Sequence, residues 1–152
     1  MDNLSPQDRS KNMAAIRSSN TSPEMRLRKA VWRAGERFFT SPGWFRITGR
    51  RLAGSPDLVF PSARVVVFVD GCFWHGCPVH YQAPTTRPDY WRNKVEMNRL
   101  RDQKVTQQLH EDGWTVVRIW EHALKARTLD ATVDELLHTI RRAREEILQR
   151  AT

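Results

Sequence analysis

The chain has 152 residues, 39% hydrophobic and 28% charged, with a net charge of +8. That length suits one domain with a core of its own. No apolar run approaches the roughly 18 residues of a membrane span, and the start, MDNLSPQDRSKN, has no apolar leader segment, so a cytoplasmic protein without a membrane helix is expected. Residues 1–51 hold 11 Lys/Arg against 4 Asp/Glu, whereas residues 52–152 hold 14 against 13. A basic third on a nearly neutral body suits a polyanion, because neutralising phosphates releases counterions; a merely solvated basic face is the plainer alternative.

Residues 1–20 are polar and rich in Ser and Asn, which reads as an arm; Met13 and Ile16 in SKNMAAIR share one face of a short turn. A helix follows in SPEMRLRKAVWRAGERFF, with Ser22 as N-cap, Pro23 at N1 and Glu24 in the first turn. Its buried face is Leu27, Val31, Ala34 and Phe38. Three strands are expected next, at WFRIT (44–48), DLVF (57–60) and RVVVFVD (64–70). The last, a β-branched run, suits a strand covered on both faces, and 57–70 reads as a hairpin. A long helix runs from about Pro88 to Asp112 and closes on Gly113. Trp91, Val95, Asn98, Asp102, Val105 and Leu109 form its inward stripe. Asn98 and Asp102 interrupt that stripe, and buried polar groups need partners; a helix rotated to wet them is the alternative. A fourth strand, WTVVRIW (114–120), precedes a last helix beginning near Thr132, with Glu135 completing a capping box. Helices on both faces of a central sheet make an α/β layer fold.

Both cysteines fall in DGCFWHGCPVH, residues 70–80. Cys72, Cys77 and His80 are ligand types that zinc prefers, and His122, just after a strand expected beside 64–70, is the candidate fourth. Buried cysteines unrelated to surface histidines are the alternative. The H-x-E and P-C-x-x-C strings of a zinc deaminase are absent. Asp57 and Asp70 emerge from adjacent strand ends near Asp102, an oxygen-rich set able to bind Mg²⁺ for phosphodiester hydrolysis. A strand end in Asp is common, so this pattern alone is weak. His75 remains once zinc has its ligands and is a general-base candidate. Phe73 and Trp74 on the same turn suit either stacking on bases or a place in the core.

SKNMAAIR, SPDLVF, VVVFVDGCFWHGC, YWRNKVEMNRLRD and GWTVVRIWEHAL, in that order, resemble the very short patch repair (Vsr-type) DNA mismatch endonucleases, relatives of the PD-(D/E)xK restriction-endonuclease fold. The resemblance runs from about Ser10 to Leu124. It implies an N-terminal DNA-binding arm (1–20) and one nuclease domain (21–152) with a mixed sheet flanked by helices. It further implies a Mg²⁺-dependent nick 5′ of the thymine in a T·G mismatch, on double-stranded DNA. Asp57 matches the metal-binding aspartate and Val69 the backbone carbonyl ligand, with Asp70 a further candidate. His75 matches the general base, and Glu24 and Asp102 the supporting acids. Phe73, Trp74 and Trp91 match aromatics that wedge beside the mismatch, while Met13 and Ile16 match arm residues entering the minor groove. Asn98 is grouped with these DNA-binding candidates. Two positions differ from a member of that family: Val69 stands where it has Thr, and Asp70 where it has His, adding a carboxylate at the metal. The zinc ligands also become a Cys2His2 set: Cys72, Cys77, His80 and His122. A monomer that associates with the nucleoid when bound to DNA, with mismatch-repair proteins as further partners, completes the expectation. The competing readings are a non-catalytic zinc-bearing DNA-binding module and a related nuclease with another DNA substrate.

Overall fold

The computed structural model describes residues 21–152; Met13, Ile16 and the rest of the expected arm lie outside the described residues. Helices α1 (Ser22–Arg33) and α2 (Ser41–Thr48) precede strands β1 (Leu58–Phe60) and β2 (Val65–Asp70). Helix α3 (Pro88–Glu111), strand β3 (Thr115–Trp120) and helix α4 (Leu129–Arg150) complete the order. The sheet runs β1-β2-β3, with β1 antiparallel to β2 and β3 parallel to it. The expected hairpin and the mixed sheet are therefore both present.

Central β2 explains the unbroken apolar run. Val65 and Val67 join Leu27 and Val31 of α1 and Leu136, Leu137 and Ile140 of α4 in one core. Val66 and Phe68 join Leu109 of α3 and Trp114 in the other, with Trp44 of α2 packed against it. Each fully buried Val, Leu or Phe contributes about 1.5–3 kcal/mol, so both sheet faces hold their helices. A three-layer α/β arrangement results, in which α3 covers one face and carries its polar residues over the C-terminal end of β2.

Three local expectations are corrected. WFRIT is not a strand but most of helix α2: the Thr40 side chain accepts from Gly43 N at 3.2 Å, Pro42 opens the first turn, and Gly49 closes the last at φ 70°. Capping at both ends outweighs the aromatic and β-branched content that suggested a strand. The N-cap of α1 is Thr21, whose hydroxyl accepts from Glu24 N at 3.5 Å, not Ser22. Helix α4 starts at Leu129 rather than Thr132, because the Thr132 hydroxyl donates to the Ala123 carbonyl at 2.8 Å instead of capping.

The end of α3 follows the sequence closely. Gly113 at φ 88° lets Gly113 N donate to His110 O at 3.0 Å and Trp114 N to Leu109 O at 2.9 Å, a Schellman closure. Trp114 and Leu109 also share a core cluster. This turn sends the chain directly into β3, beside β2, and so fixes where Arg118 and the Glu121–Leu124 turn lie.

Candidate active site

Strand β1 begins where β2 ends, so Asp57 lies at the edge of the β2 terminus. Its backbone N–H donates to Val67 O at 2.8 Å, and its Oδ2 accepts from Val69 N at 2.7 Å. Burial pushes the Asp57 carboxyl up to about 7, against the Val69 N–H, and the neighbouring Glu24 carboxylate adds to the rise. Glu24, 3% exposed, comes from the first turn of α1 and is ion-paired with Arg28 at 3.3 Å. Two acids facing one another with little water are stabilised by a cation. Asp57, Glu24 and Val69 line one cleft, and their carboxylates and backbone carbonyl are hard oxygen donors, a type of set that fits Mg²⁺.

The same cleft, about 280 Å³, is lined on its other side by Asp70, His75, Asn98, Asp102 and Arg118. His75 Nδ1 meets Asp102 Oδ2 at 2.5 Å. With that nitrogen directed at a carboxylate, the ring turns Nε2 away from α3, the arrangement of an imidazole oriented to accept a proton there. Its Nε2 lies 3.9 Å from Asp70 Oδ1. Asp70 is 5% exposed and its two oxygens accept from Arg118 at 3.1 and 3.3 Å. Burial raises the Asp70 carboxyl, with His75 and Arg118 opposing.

The 70–80 run is held between β2, α3 and the turn after β3. Asn98 donates its amide to Trp74 O at 2.8 Å and Arg99 donates to Gly76 O at 2.7 Å. Gly76 sits at φ 64°, and a Cβ there would lie 2.6 Å from Val95 Cγ1, so glycine alone allows this approach to α3. Both polar residues of the α3 stripe thus find their partners in this one loop.

On the loop's other side Cys72, Cys77, His80 and His122 bring four ligand atoms within 4.8 Å of one another. Cys72 Sγ is 3.4 Å and Cys77 Sγ 3.6 Å from His122 Nδ1, and Cys77 Sγ is 3.9 Å from His80 Nδ1. Ordinary zinc bond lengths in a tetrahedron place sulfur and nitrogen about 3.6 Å apart, so the donor set fits zinc in kind and in spacing. Glu121 supports it from outside by accepting from Cys72 N at 3.0 Å.

The aromatics form one cluster. Phe73 lies 5.2 Å from Trp74 and 5.6 Å from Trp91 between ring centroids, and Trp74 lies 6.0 Å from Trp91. Trp91 is buried and forms the floor, while Phe73 and Trp74 are half-buried. Tyr81 packs on Phe73 at 5.9 Å and the exposed Tyr90 on Trp91 at 4.9 Å. Sequence reasoning missed Arg118, Glu121 and these two tyrosines. Arg118 alone had a signal: a lone cation inside the apolar strand WTVVRIW, on the face alternating with Ile119.

A family model described as DNA mismatch endonuclease Vsr matches residues 1–80. The chain is 43% identical over 130 residues to the type II nicking enzyme V.NaeI of Lentzea aerocolonigenes, covering 86% of this chain and 77% of that one. It is 44% identical over 122 residues to the type II nicking enzyme V.XorIIP of Xanthomonas oryzae, covering 79% and 84%. With the DNA mismatch endonuclease Vsr of Escherichia coli it shares 37% identity over 130 residues, covering 85% and 78%. The class is that of the endonucleases. The chain belongs to the Vsr family of DNA mismatch endonucleases.

Proposed function

We propose that this protein nicks double-stranded DNA on the 5′ side of the thymine in a T·G mismatch by Mg²⁺-dependent hydrolysis, on a restriction-endonuclease-like fold with one structural zinc. The observation that carries the reading is the cleft where Asp57 and the His75–Asp102 pair face one another. A bound Mg²⁺ would polarise the phosphate and lower the pKa of an attacking water. Asp57 and the Val69 carbonyl would hold it, with Glu24 supporting. Asp102 fixes the His75 ring, and His75 Nε2 takes the proton of the attacking water. A zinc-bearing module that only bound DNA would have no use for this acid and histidine constellation.

Phe73 and Trp74 stand at the surface of a loop that Asn98, Arg99 and the zinc ligands hold, with Trp91 beneath. Rings fixed in this way suit insertion beside a mispaired base, where unstacking costs less than in a paired duplex. Met13 and Ile16, outside the described residues, would enter from the minor-groove side. In this reading the protein acts as a monomer, at the nucleoid when bound to DNA, with mismatch-repair proteins as further partners. Among the described residues no helix is long and apolar enough to cross a membrane.

The test is a nicking assay on otherwise identical duplexes carrying T·G, T·A, C·A or T·T, with and without Mg²⁺. Rapid nicking of T·G alone, and only with Mg²⁺, is expected. Equal nicking of T·A would leave a nuclease of another DNA substrate.

A further inference from the structure

Asp70 is the third acid of the cleft, and three ligand atoms from Asp70, His75 and Asp102 lie close enough together to hold a cation. A side chain already occupies that role. Arg118 projects from β3 on the same sheet face as Asp70, since Phe68 pairs with Arg118 and Asp70 with Trp120 in the parallel register. One terminal nitrogen, Nη1, reaches both Asp70 oxygens, at 3.1 and 3.3 Å, and lies 3.7 Å from Asp102 Oδ1. The other, Nη2, donates to the Asp102 backbone carbonyl at 3.4 Å, and Nε donates to Thr106 Oγ1 at 3.1 Å. The guanidinium carbon stands 4.3 Å over the Phe68 ring. Every nitrogen of the group is thus engaged, by residues of β2 and α3, and one face of the guanidinium plane lies against the Phe68 ring.

We propose that Arg118 is a positioning residue of the active site: it takes the place of a cation between Asp70 and Asp102, keeps Asp70 off the catalytic metal, and holds Asp102 where it orients His75. The proposal rests on the catalytic reading given above and narrows it. A guanidinium is always charged and matches a carboxylate in shape. Displacing it from a buried carboxylate would leave uncompensated charge. Across the cleft Asp57 accepts from the Val69 N–H at 2.7 Å, and the Arg28 charge that acts on it is ion-paired with Glu24 at 3.3 Å. The metal therefore belongs on the Asp57 side, and Asp70 contributes charge balance rather than a ligand.

The test uses the zinc-loaded full chain and two readouts. The first is Mn²⁺ binding by calorimetry without DNA. Asp70→Asn keeps the shape and an acceptor for Arg118, so its Mn²⁺ affinity is expected to match the wild type within about two-fold, whereas Asp57→Asn is expected to lose about ten-fold or more. The second is single-turnover nicking at saturating DNA. Arg118→Met is expected to slow nicking by about ten-fold or more with DNA affinity unchanged, and Asp70→Asn combined with Arg118→Met to stay slow, because Asp102 still lacks the guanidinium that holds it. Should Arg118→Met fail to fold, Mn²⁺ binding by Asp70→Asn still decides. A ten-fold loss of Mn²⁺ affinity in Asp70→Asn, or a folded Arg118→Met or double variant that nicks at the wild-type rate, overturns the proposal. Normal Mn²⁺ binding by Asp57→Asn would instead overturn the assignment of the metal to Asp57, a separate failure.

Discussion

Asn98 donates its side-chain amide to the backbone carbonyl of Trp74 at 2.8 Å. This bond ties the middle of α3 to the turn that carries the half-buried Phe73 and Trp74. Removing it in Asn98→Ala leaves a partly buried carbonyl without its donor, at a cost of about 1–3 kcal/mol. The expected result is a lower Tm together with a reduced preference for T·G over T·A in nicking. An Asn98→Ala protein with unchanged Tm and unchanged preference would show that the loop is held without it.

The candidate zinc ligands follow two neighbouring strands: Cys72, Cys77 and His80 come after β2, and His122 after β3. One zinc per chain is expected by elemental analysis, with a large share of the folding free energy tied to it. His122→Ala should lose the metal and unfold at a markedly lower temperature. Zinc-free purified protein, or a His122→Ala variant with full metal content, would remove the site.

A pH effect is expected far from the cleft. Arg144 of α4 donates to both Glu36 oxygens, at 3.2 and 3.0 Å, and holds the Glu36 carboxyl below its ordinary range. A lowered folded-state pKa means that the contribution is present above the ordinary carboxylate pKa and is lost as pH falls through the lowered value. Glu36→Gln should therefore lower Tm at pH 7, and the gap from wild type should close as pH falls from about 5 towards 3. A gap independent of pH would assign the effect to packing alone.

How far the sequence carried these conclusions differs by element. The unbroken run Val65–Val69 announced a central strand because no solvent-facing position interrupts it, and Gly113 announced the end of α3 because a left-handed residue was required there. Asn98 and Asp102 were legible as polar groups in an apolar stripe needing partners, and both partners came from the 70–80 loop. Helix α2 was misread because Trp44, Phe45 and Ile47 carry strand-like composition, while the deciding information lay in the caps at Thr40 and Gly49. Arg118 was missed because its meaning depends on the register of β3 against β2, which local sequence does not contain.

Trp74 packs edge-on against Phe73 and near Trp91 while remaining half-buried. Base-edge contacts discriminate by about 1–3 kcal/mol per good pair, and an aromatic ring replacing lost stacking is worth about 1–3 kcal/mol per base. Trp74→Ala should consequently lose roughly ten-fold or more in the ratio of T·G to T·A nicking rates. Its zinc content and its salt-dependent binding to ordinary duplex should be retained. An unchanged ratio would place Trp74 in the core cluster only.

The most direct measurement is strand-resolved nicking of an end-labelled T·G duplex by wild type and Asp57→Ala side by side in Mg²⁺. Wild type should release a single product, cut immediately 5′ of the mismatched thymine and on that strand only. Asp57→Ala should bind the same duplex and leave it intact. Cleavage of both strands, cleavage away from the thymine, or normal nicking by Asp57→Ala would overturn the assignment of this cleft as a mismatch-nicking centre.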